Sequence, residues 1–116
     1  FTMPKLTVFA STVRVPTFHC HGEAVTVQLG EAVTRQQAED AIAEGEGINL
    51  VRENDHTEFP TPRSVTGDKQ VHVSRVRLPV DSEKSDWVQF WNVADNLKKG
   101  AATNAVQILS LAASSR

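Results

Sequence analysis

Apolar positions along the chain fall into short runs of period two, separated by polar turns, with two stretches of helical period between and after them. Residues 6–15, LTVFASTVRV, are rich in β-branched and aromatic side chains and predict a buried strand, which Pro16 ends. Residues 23–29 alternate, with Val25, Val27 and Leu29 on one side and Thr26 and Gln28 on the other, the pattern of a half-buried strand. Thr34 and Gln37 have capping-box spacing, so a helix is expected to run through Ala38, Ala41, Ile42 and Glu44 until Gly45 and Gly47 stop it. Residues 48–51, INLV, predict a short strand.

Residues 52–69 are polar, contain Pro60, Pro62 and Gly67, and read as a long surface loop. A strand follows over 70–78. Its parity slips, because Val71 and Val73 share one phase while Val76 and Leu78 share the other, which places a bulge near Ser74 and Arg75. PVDSEKS is a turn, residues 87–94 are a further strand, and residues 100–113 are a helix. In that helix Ala102, Ala105, Val106, Leu109, Ala112 and Ala113 form one apolar stripe. The order β β α β β β α has few helical crossovers. It predicts an α+β fold in which an antiparallel or mixed sheet carries helices on one face.

Composition narrows the classes without choosing among them. The 116 residues suffice for one domain with one core, and 40% hydrophobic and 22% charged content is ordinary for a globular protein. Twelve basic and 14 acidic residues give a net charge of −2, with no basic excess to draw nucleic acid or an anionic membrane. No apolar run approaches the ~20 residues of a membrane span. The single cysteine cannot form an internal disulfide, which fits a reducing cytoplasm. The chain opens at Phe1 and enters an apolar run at once, so it reads as an interior piece of a longer protein.

The densest chemistry is in RVPTFHCHGE, from Arg14 to Glu23. His19, His21 and Glu23 would share one face of a straight strand, and imidazole with carboxylate suits zinc or iron. Further ligands are not evident, since His56 is expected in a loop and His72 on a distant strand. Cys20 lies between two histidines, but strand neighbours point to opposite faces, so it reads as a small buried hydrophobe rather than a nucleophile with its base. A third reading pairs Arg14 with His21 across the break at Pro16. A guanidinium grips a carboxylate with two parallel bonds, and an imidazole moves protons near neutrality.

A second run, WNVADNLKKGAATNAVQ, passes from a strand through Asp95 and Asn96 to a helix that begins with small residues. Small residues there allow close approach by another element or a ligand. Asp95 or Asn96 can equally cap the turn.

Taken together, the two runs resemble one family. TVRVPTFHCHGEAVTVQL resembles the RVP–x(4)–H–(S/G)–E segment of bacterial aspartate-β-semialdehyde dehydrogenases, and WNVADNLKKGAATNAVQI resembles their C-terminal D-N-L-(R/K)-K-G-A-A-x-N-A-V-Q segment. FPTPRSVTGDKQVHVSRVRLP between them is similar to the family's YPTP…G…V-x-V-x-R-(I/V)-R run. The order agrees, and the resemblance covers nearly the whole chain.

The resemblance implies a domain like the C-terminal domain of glyceraldehyde-3-phosphate dehydrogenase-type enzymes. It implies that Arg14 binds the substrate α-carboxylate, that His21 is the general acid/base, and that Asn96 lies near the nicotinamide of NADP. Position 20, commonly glycine or cysteine in the family, has no nucleophilic role. The dinucleotide fingerprint, the catalytic-cysteine motif and the family's upstream lysine and glutamate do not occur in these residues. Residues 1–116 would then be a single partial domain, the end of a catalytic and dimerisation domain. Its final helix, 100–116, would pack on a nucleotide-binding domain outside this sequence. A small-molecule substrate, a homodimer or homotetramer, a cytoplasmic location and inactivity of the isolated piece are the corresponding expectations.

Overall fold

The computed structural model describes residues 6–52 and 59–114; His56 lies outside them. Strand β1 (His21–Thr34) leads into helix α1 (Arg35–Ala43). Strand β2 (Ile48–Val51), the one-turn helix α2 (Pro62–Val65), strands β3 (Val71–Arg77) and β4 (Lys84–Ala94), and helix α3 (Thr103–Ser114) follow. The sheet has four strands in the order β1-β4-β3-β2. β4 is antiparallel to both its neighbours, while β2 runs parallel to β3. The architecture is the expected α+β arrangement, a mixed sheet with a helical layer on one face.

Local signals account for the ends of α1. Thr34 Oγ1 accepts the N–H of Gln37 at 3.2 Å, and Gln37 Oε1 accepts the N–H of Thr34 at 2.8 Å, closing the capping box. After Ala43, Gly45 donates to Ile42 O at 3.1 Å, and Gly47 takes φ +75, where a side chain would strain the backbone. Ala38 enters the main core with Val73, Val76 and Val88, and Val27, Leu50 and Phe90 close around them. The parity slip in β3 is a bulge: the register with β4 shifts between Ser74 and Arg77, and Arg75 has φ +56.

The reverse face of the sheet carries the opposite parity. There Val93, fully buried, joins Cys20 and Val65 in a second cluster, with Trp91 packed against it. α2 delivers Val65 to this cluster, so the expected loop over 52–69 contains one ordered turn. Thr61 caps that turn and Pro62 starts it.

Two expectations fail. Residues 6–15 form no strand. Phe9 is 96% exposed and Val13 82%, and no strand among the described residues pairs with this segment. β-branched composition expresses a preference for a pleated, half-covered surface, and it supplies neither the partner edge nor the cover. The regular part of the last helix begins at Thr103 rather than at 100. A widened turn, Lys98–Ala102, precedes it, with Ala101 out of helical geometry at φ −136, ψ −106. The apolar side chains of α3 stay exposed, Leu109 at 69% and Val106 at 62%. Leu29 is also more open than its alternation implies, at 37%.

Candidate active site at the β1–β4 end of the sheet

β1 begins beside the end of β4, with His21 opposite Ala94 and Gly22 opposite Val93. The residue before His21 makes the corner. Cys20 has φ +72, the left-handed region that glycine adopts freely and residues with a Cβ avoid. Its thiol is buried, 3.6 Å from Thr66 Oγ1, as a small hydrophobe in the reverse-face cluster. Its backbone N–H donates to Asn96 Oδ1 at 3.0 Å. The two sequence runs, 76 positions apart at this contact, therefore meet at one end of the sheet.

Asp95 organises the other side. Its carboxylate is buried and accepts the N–H of Gly67 at 2.8 Å and of Leu97 at 2.9 Å. Its carbonyl accepts Lys98 and Lys99 N–H at 3.1 and 2.8 Å, starting the turn toward α3. The Gly67 N–H, foremost, holds the Asp95 carboxyl below its ordinary range; burial opposes this, and the Leu97 and Lys98 N–H groups and the charge of His19 add to it. Asp95 is thus the residue that caps the turn, while Asn96 reaches across to Cys20.

A second polar group lies nearby and was not singled out by sequence pattern. His72 Nε2 meets Asp68 Oδ2 at 2.9 Å, and its Nδ1 meets Asn49 Nδ2 at 3.1 Å. Asp68 also accepts the Gln70 N–H, the main cause of its lowered pKa, with the His72 bond next. This group ties β2 and β3 to the segment that carries Gly67. Only the short separation of Asp68 and His72 could have hinted at it.

The proposed residues occupy different settings. His21 is exposed at the first position of β1, and Asn96 is half-buried behind it. Arg14 is exposed in the irregular segment before Pro16 and makes no hydrogen bond or ion pair among the described residues. The metal alternative does not assemble: among the described residues no three His, Cys, Asp or Glu side chains converge as ligands. The left-handed corner at Cys20 breaks the straight strand that would have aligned His19 with His21, and the Glu23 carboxylate accepts from Asn92 Nδ2 at 3.2 Å.

Among the described residues, no helix is long and apolar enough to cross a membrane. Residues 1–99 match the family model for "Semialdehyde dehydrogenase, dimerisation domain". The chain is 41% identical over 112 residues to aspartate-semialdehyde dehydrogenase 2 of Vibrio cholerae, a match covering 96% of this chain and 32% of that protein. It is 33% identical over 107 residues to aspartate-semialdehyde dehydrogenase of Aquifex aeolicus, covering 92% and 31%. The crystal structure of the V. cholerae aspartate semialdehyde dehydrogenase II complexed with ASA matches with a TM-score of 0.72 at 41% identity, over 84% of this chain and 28% of that one. The chain spans about a third of the length of these curated relatives. With the meeting of its two motif runs and these matches, the chain belongs to the semialdehyde dehydrogenase dimerisation-domain family and corresponds to that region of the bacterial aspartate-semialdehyde dehydrogenases.

Proposed function

We propose that this domain serves an NADP-dependent aspartate-semialdehyde dehydrogenase, which interconverts β-aspartyl phosphate and aspartate semialdehyde in amino-acid biosynthesis. The observation that carries the reading is the Cys20–Asn96 bond, which puts the acid/base candidate and the nicotinamide-side candidate at one end of one sheet. In this reading the catalytic cysteine and the nucleotide fold belong to a part of the enzyme outside these residues, and the 116 residues alone have no dehydrogenase activity.

Arg14 holds the substrate α-carboxylate with its planar fork and so orients the reacting carbon, and orientation is a large part of the rate. Its exposed segment gives the side chain freedom to reach a ligand. His21 takes the proton from the hemithioacetal hydroxyl in the oxidative direction and returns it in reverse. NADP, when bound, supplies the hydride chemistry. Asn96 fits a role beside it: Oδ1 is occupied by the Cys20 N–H, so the amide Nδ2, which has no partner among the described residues, is the group left to donate.

In this reading the domain shares the fold of the C-terminal part of glyceraldehyde-3-phosphate dehydrogenase-type enzymes. The exposed apolar side chains of α3 are covered in the whole enzyme by the nucleotide-binding domain, and the enzyme is a cytoplasmic homodimer or homotetramer joined through this domain. In the full-length enzyme His21→Ala lowers kcat by about 100- to 10,000-fold with little change in KM. Arg14→Leu damages chiefly kcat/KM for the substrate, by about 100-fold, the scale of a charge-assisted bidentate contact. Near-normal turnover by His21→Ala would overturn the acid/base assignment; the alternative is a non-catalytic dimerisation module of the same fold.

A further inference from the structure

We infer that Asn96 is a positioning residue for His21, acting through the backbone of Cys20. The inference rests on His21 being the acid/base. A buried backbone N–H has to be paired, and Cys20, only 6% exposed, has its N–H paired with the Asn96 side chain. The conformation so held is one that residues with a Cβ avoid, φ +72, and such a corner persists only where its surroundings fix it.

Three further contacts stiffen the clamp from behind. Asp95 takes the Leu97 and Gly67 N–H groups and so fixes the turn that carries Asn96. The Cys20 side chain is seated against Val65 and Val93. Ahead of the corner, β1 pairs at once with β4, His21 opposite Ala94. The imidazole thus projects from the first rung of the ladder, the residue directly after the clamp. Releasing the Cys20 N–H frees the corner to relax and turns the His21 backbone with it. A shift of about 1 Å at an acid/base can cost about 100-fold in rate.

The role needs only an acceptor oxygen at position 96, whereas donation to a nicotinamide carboxamide needs the NH2 group. Asn96→Asp separates the two, since the carboxylate keeps the acceptor and loses the donor. In the full-length enzyme Asn96→Ala is expected to lower kcat by about 30- to 100-fold and to leave the substrate KM within about twofold. Asn96→Asp is expected to recover most of that kcat and to show any lost cofactor contact as a raised KM for NADP alone.

Equal loss of kcat in the Asp and Ala variants would overturn the inference, and so would unchanged kcat in Asn96→Ala. If Asn96→Ala does not fold, Asn96→Asp decides: kcat retained supports the clamp, and kcat lost in a folded enzyme overturns it. His21→Ala measured alongside separates the two claims. Full turnover in that variant sinks the acid/base assignment itself. A dead His21→Ala beside an active Asn96→Ala sinks only the clamp.

Discussion

The indole of Trp91 lies across Gly22, so close that a Cβ on Gly22 would stand 2.3 Å from Cη2 and 2.4 Å from Cζ2. The ring cannot swing away freely, because its Nε1–H donates to Pro60 O at 3.2 Å and its flank packs on the reverse-face cluster. Gly22 follows His21 directly, and strand alternation puts this contact on the face opposite to the His21 side chain.

Gly22→Ala is therefore expected to displace Trp91, break its bond to Pro60 and destabilise the fold by about 1–3 kcal/mol, the range for overpacking. In a Trp87→Phe background, where Trp91 is the remaining tryptophan, its emission should shift to longer wavelength. Unchanged emission and an unchanged denaturation midpoint would show that the ring adapts at no cost.

Acid should loosen the same end of the sheet. The Asp95 and Asp68 carboxyls are held below their ordinary range, chiefly by the N–H groups of Gly67 and Gln70 respectively. A carboxyl whose folded pKa lies below its unfolded value of about 3.9 contributes stability that is complete above that value and lost as pH falls through the folded one. The thermal midpoint should stay level from neutrality down to about pH 5 and fall below about pH 4. Asp95→Asn should lower the midpoint at neutral pH and flatten the acid limb. An acid limb as steep as wild type would assign the loss to other carboxyls.

Glu39 is a buried carboxylate inside α1, with Arg35 Nε on Oε1 and Arg52 Nη1 on Oε2, both at 2.8 Å. The Arg35 and Arg52 side chains are 40% and 33% exposed, so water screens the pairing and it is worth less than in a dry core. Glu39→Ala is expected to cost about 1–3 kcal/mol through lost charge-assisted bonds, read as a lower urea midpoint with the m-value kept. Glu39→Gln, which keeps the shape, should fall between. Loss of the acid/base function with stability unchanged would contradict this purely structural role.

Features set by neighbours in sequence were legible before the fold was known. The Thr34–Gln37 capping box spans one helical turn, so its two hydrogen bonds are specified by residue type and spacing alone. The bulge at Ser74 and Arg75 was readable because a pleated strand has period two, and an apolar run that changes parity has to absorb one residue. Strand ends were less legible. β1 runs on through Gly30 to Thr34, and β4 starts back at Lys84, because Thr34 pairs with Lys84 and Val33 with Ser85 across a register shift. Residues 6–15 failed for the complementary reason, a strand-like composition without an edge to join.

The candidate site divides in the same way. Residue order alone pointed to Arg14, His21 and Asn96, through motif resemblance, and to a cysteine without a nucleophilic role. The tertiary structure decided that Asn96 reaches Cys20 rather than capping its own turn, that Asp95 does the capping while also fastening Gly67, and that Trp91 occupies the space above Gly22. Apart from the local cap at Leu97, those contacts link positions tens of residues apart. Each depends on the path of β4 between β1 and β3, and a hydrogen bond or a close approach forms only where that path delivers donor and acceptor, or ring and backbone, to the same few ångströms.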